Sequence, residues 1–171
     1  IEVGKTPLDQ VIPELAKYGI TGCFEEPSVS WIAFHCGGFG LQVATSTNLV
    51  NGVWFEPQVS ISLDNVIAKY DEPNLITLSP EGPPEEPIIG MIIYWDSIRM
   101  LVEMPKVYGT FYVGERTTEV ASITFLDEEL YFGSSEIEFG DYYKPWNGYG
   151  TYEPTIATVP AIPLPTATMA P

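Results

Sequence analysis

At 171 residues the chain has room for one ordinary domain or two small ones sharing an interface, and its 45% hydrophobic and 13% aromatic content is that of a packed globular protein. Seven Lys plus Arg against 23 Asp plus Glu leave a formal charge of −16, which excludes nucleic acid as a partner, disfavours anionic lipid surfaces, and favours basic proteins, cations or amines. No apolar run reaches the roughly 20 residues of a membrane helix, so the chain is not expected to be transmembrane, and a start at Ile1 is the pattern expected of a processed product whose leader has been removed.

The first predicted element is a helix. Thr6 suits the N-cap and Pro7 the first helical position, Leu8, Val11, Ile12 and Leu15 share one face, and Gly19 supplies the stop. Strands are then expected over 29–36, 41–45 and 52–59, with Gly37-Gly38-Phe39-Gly40 as a turn. Cys23 and Cys36 lie thirteen residues apart beside turn chemistry. The expected state is a disulfide, contributing on the order of 3 kcal/mol by loop entropy, and the alternative is two buried thiols. One His and two Cys are too few for a closed zinc site, and no cofactor is expected.

A second helix follows, with Ser62 as cap, Leu63, Val66, Ile67 and Tyr70 as its apolar stripe and Asp71-Glu72-Pro73 as its exit. Residues 73–87 hold five prolines and read as an extended loop, either a contact surface or a tolerated insertion. Further strands are expected over 89–95, 100–104, 107–113 and 120–126, with a turn at 96–99.

These two stretches resemble each other. Leu8-Asp9-Gln10-Val11-Ile12 matches Leu63-Asp64-Asn65-Val66-Ile67, Ala16-Lys17-Tyr18 matches Ala68-Lys69-Tyr70, Ile32-Ala33-Phe34-His35 matches Ile92-Ile93-Tyr94-Trp95, and Leu41 matches Leu101. The expected fold is α+β: two tandem units of a helix plus an antiparallel meander, residues 1–60 and 61–137, with the helices packed on one face of the sheets. This order of elements resembles that of the secreted β-lactamase inhibitor proteins and the small outer-membrane lipoprotein domains of the SmpA/OmlA type, over roughly residues 4–126. The resemblance implies an extracytoplasmic, protein-binding character. Those inhibitors carry a disulfide in each copy, whereas Asp96 aligns here with Cys36, and no inhibitory residue is carried over.

Residues 138–153 form an aromatic Gly/Pro-rich segment in which Tyr142, Tyr143, Trp146, Tyr149 and Tyr152 are candidate binding residues. Exposed, they would stack on sugar rings or anchor a protein partner; otherwise they form a lid over the sheet. Residues 154–171 carry five prolines and no charge, which favours an extended arm. The lone imidazole, His35, has no activating partner in sequence, since Cys36 points to the opposite face of its strand. Asp127 and Glu129 have the chemistry of a hydrolase pair, and the acidic clusters at 81–86 and 127–129 that of calcium ligands, but a solvated acidic face is the default reading of both clusters. The expected function is that of a non-catalytic exported protein, extracellular or in the cell envelope, acting on a protein partner or by self-assembly. Glycan binding is the alternative, and a secreted hydrolase ranks behind both.

Overall fold

The computed structural model describes residues 1–83, 86–131 and 143–154. Helix α1 (Leu8–Lys17) is followed by β1 (Phe24–Pro27), β2 (Trp31–His35), β3 (Phe39–Ala44) and β4 (Leu49–Phe55). Helix α2 (Leu63–Tyr70) is followed by β5 (Leu75–Glu81), β6 (Ile88–Trp95), β7 (Met100–Tyr108), β8 (Tyr112–Gly114) and β9 (Ser122–Leu126). Two short strands, β10 (Tyr143–Pro145) and β11 (Gly150–Tyr152), come from the aromatic segment.

Both helices begin at their matched leucines and are oriented by buried valines, Val11 and Val66. Their caps differ. The Asn65 N–H donates to Ser62 Oγ at 3.3 Å while the Ser62 N–H donates to Asn65 Oδ1 at 3.3 Å, a reciprocal box at the start of α2. Thr6 does not cap α1: its Oγ1 accepts from the Glu2 N–H at 2.8 Å, and Pro7 occupies the cap position without a side-chain bond. At the other end Gly19 takes φ +74° as the Ile20 N–H reaches the Leu15 carbonyl, a left-handed stop that suits glycine.

Nine strands form one antiparallel sheet in the order β1-β2-β3-β4-β9-β7-β6-β5-β10, and β8 pairs with β11 in a separate ribbon. The two meanders expected from the sequence therefore share a single sheet, joined where β4 pairs with β9 from Gly52↔Leu126 to Phe55↔Ile123. One face packs Val11 and Leu15 of α1 on Phe34, Leu41, Val43 and Val50, and Leu63 and Val66 of α2 on Ile93, Trp95, Met100 and Val102. Val53 belongs to the first cluster, and its cross-strand partner Phe125 packs on the second, so both helices cover the same face.

Strand β5 and the phase of β6 also depart from the sequence reading. Residues 75–81, expected as loop, are strand β5; β10 pairs with it only at Leu75–Thr77, so Pro80 sits where β5 has become an edge and proline is tolerated. The pairs Phe34↔Leu41 and Tyr94↔Leu101 occupy matching hairpins, yet Phe34 packs under α1 whereas Tyr94 points to the opposite face, against Tyr131 and Tyr143. The sequence alignment of β2 with β6 is thus one residue out of phase, and in a strand one residue exchanges the faces.

Candidate functional site

The face turned away from the helices carries the unusual chemistry. Successive cross-strand pairs place Phe24, His35, Gly40 and Trp54 in one row across β1 to β4. Phe24 stacks on His35 with centroids 4.7 Å apart and is 61% exposed, and His35 meets the edge of Trp54 at 5.5 Å. Gly40 makes the last contact feasible, because a Cβ there would overlap the Trp54 indole. His35 Nε2 also lies 3.0 Å from Glu26 Oε2 on the same face. The imidazole therefore has a carboxylate and two rings as neighbours; Cys36 lies on the helix side, bonded to Cys23 as the spacing led one to expect.

Beside this row lies an open pocket of about 340 Å³ whose lining includes Trp31, Gln42, Asn51, Asp127, Glu129 and Leu130. Its geometry comes from a β-bulge: Val43 pairs with Val50 and Gln42 with Gly52, leaving Asn51 as an extra residue in β4. A bulge re-aims the inserted side chain, which here lines the pocket although its neighbour Val50 is in the helix-side core. Asn51 is only 8% exposed, and its Oδ1 has no hydrogen-bond partner. Across the pocket, residues 128–131 form a helical turn held by Asp127, whose Oδ1 accepts from the Leu130 N–H at 2.8 Å. The Asp127 N–H in turn donates to the Asn51 carbonyl at 2.8 Å. Asp127 and Glu129, noted in the sequence as one acid pair among many, are thus brought to one concavity with Trp31.

The aromatic segment has another position. Tyr142 lies outside the described residues. Trp146 and Tyr149 are partly buried against the cluster under α2, Tyr152 is buried, and Trp146 stacks on Tyr152 at 6.0 Å. The Tyr149 hydroxyl donates to Asp64 at the start of α2 at 2.9 Å, and desolvation, reinforced by that carboxylate, pushes its pKa up to about 12. Tyr143 faces the other way, with its ring 5.3 Å from Tyr94 and its pKa raised mainly by desolvation. The hydroxyl of Tyr131, next to both, donates to Asp96 at 2.6 Å.

Among the described residues no group of three or more His, Cys, Asp or Glu side chains is placed to hold a metal ion, and no helix is long and apolar enough to cross a membrane. The arm beyond residue 154 lies outside the described residues. Comparison with protein-family models, curated proteins and solved structures finds no match to the chain.

Proposed function

We propose that this chain is an exported, non-catalytic binding module, built from a duplicated helix-plus-meander unit, that engages a basic protein partner through the sheet face turned away from its helices. The observation that carries the reading is the Phe24-His35-Trp54 row: rings held in register on a rigid sheet, with Phe24 largely exposed. Large aromatic side chains projecting from a preorganised surface are the usual anchors of protein interfaces. Glu26, whose carboxylate lies 3.0 Å from His35 on the same face, borders the row with negative charge, so the surface attracts lysine- and arginine-bearing partners.

The duplication is supported by the strand order, which reads β1-β2-β3-β4 from one edge and, inside the edge strand β10, β5-β6-β7-β9 towards the same seam from the other side. It is supported again by two bridges, Pro7↔Leu49 and Ser62↔Glu119, which tie each helix start to the approach of the last strand in its half. Export is supported by the disulfide, since such bonds persist in oxidising compartments.

The test compares partner capture by the wild type, by an F24D/W54T variant of the aromatic row and by an I12D variant of exposed Ile12 on α1. Surface and secreted proteins of the producing cell are crosslinked to each and identified by mass spectrometry. A partner retained by wild type and I12D and lost with F24D/W54T supports the reading. Capture that ignores the aromatic row, or retention of the chain on insoluble polysaccharide in place of protein, refutes it.

A further inference from the structure

The pocket beside the aromatic row has neutral donors in its lining, Ser30, Gln42, Ser46 and Thr47, but no cationic one. Asn51 Oδ1 is a buried acceptor without a partner, a state that folded proteins rarely leave unexplained. The Asp127 and Glu129 carboxylates add further acceptor capacity, one Asp127 oxygen being used by Leu130, and no Lys, Arg or His lines the cavity to neutralise them. Trp31 supplies an aromatic wall, whose negative face attracts a cation. Acceptors, negative charge and an indole around about 340 Å³ are the complement of a small positively charged donor.

The geometry points to this pocket as a binding site for a primary ammonium group, carried by a small free amine or by a lysine side chain. An ammonium has three N–H donors: it supplies Asn51 Oδ1 with the missing bond, forms charge-assisted bonds to the acid pair, and rests its alkyl stem on Trp31. A sugar hydroxyl would satisfy Asn51 and leave both carboxylates uncompensated. The pocket's chemistry is independent of the protein partner proposed above, because it rests on the bulge, the acid pair and Trp31 alone.

Cadaverine and Nα-acetyl-lysine methylamide are titrated at low salt into the full chain by calorimetry, in parallel with tetramethylammonium, which has the charge and no donor, and with glucose. The variants are D127N/E129Q, which keeps a side-chain cap for the helical turn, E129Q alone, whose exposed side chain leaves folding untouched, and W31F, each checked by circular dichroism. Saturable binding of either amine, weakened at least about tenfold by D127N/E129Q and measurably by E129Q alone, supports the site, the expected loss corresponding to one charge-assisted bond. Binding of cadaverine alone assigns free amines, and binding of the lysine derivative alone assigns a polypeptide side chain. The inference is overturned if neither amine binds, if the acid-pair variants bind undiminished, or if tetramethylammonium or glucose binds as tightly as the amines.

Discussion

Gly40 lies directly beneath the Trp54 indole in the β3–β4 pair, and a side-chain carbon on Gly40 would occupy the space of the ring. The missing Cβ lets Trp54 lie flat across the sheet and reach His35 in the next strand but one. G40A should therefore destabilise the fold by about 1–3 kcal/mol, the usual cost of overpacking. In a W54A background the same substitution should cost far less. Urea unfolding of the four members of this double-mutant cycle measures the difference, and additive effects would show that the indole does not depend on the glycine.

The two helix starts make opposite predictions from similar-looking sequence. S62A removes the acceptor of the Asn65 N–H and should cost about 1 kcal/mol. T6A removes only a bond from the Glu2 N–H near the chain start, and should cost clearly less. Equal losses in thermal unfolding would contradict the cap assignment.

Cys23 and Cys36 close a loop of 13 residues that pins the entrance of β1 to the end of β2 under α1. C23S/C36S should lose about 3 kcal/mol by loop entropy, read as a lower urea midpoint. Adding a reductant should move the wild type towards the variant and leave the variant unchanged.

Alkaline pH should unfold the protein earlier than its carboxylate content suggests. Burial pushes Tyr112 up to about 12, and desolvation together with the Asp64 carboxylate does the same for Tyr149; Tyr131 and Tyr143 also move upward. Below about pH 10 these hydroxyls are protonated in both states and the stability is fully present. As pH rises from about 10 through about 12, the unfolded chain releases these protons first, so stability falls. Circular dichroism followed against phenolate absorbance should show structure lost together with a delayed fraction of tyrosine ionisation. Full tyrosine titration near pH 10 with the fold intact would contradict it.

The parts of the fold that follow local rules were readable in the sequence. Helix phases came from Leu8, Val11, Leu63 and Val66, the α2 cap from Ser62, the α1 stop from Gly19, and most strands from alternating apolar runs. Strand β5 was missed because prolines argue against a strand only where their N–H is needed, and sequence does not say that Pro80 lies past the end of β10. The same is true of the pocket. Asn51 is an ordinary polar residue in a strand until the two-against-one pairing with β3 aims it inward, and Asp127 with Glu129 is one acid pair among many until the turn over β4 brings it beside Trp31. Tyr143, Trp146, Tyr149 and Tyr152 stand out by composition, but whether rings dock or project depends on partners, Asp64 and Tyr94 among them, more than forty residues away.

The seam between β4 and β9 also has a kinetic meaning. Its paired residues, such as Val53 and Phe125, are separated in sequence by α2 and by β5 to β8, whereas each flanking meander is built from hairpins of neighbouring strands. Closing so long a loop is entropically slow, so low-contact-order hairpins nucleate first and docking across the seam completes the sheet late. Until that docking occurs, β4 and β9 each present a raw hydrogen-bonding edge, and this is the interval in which a nascent chain is most exposed to strand exchange with a second copy.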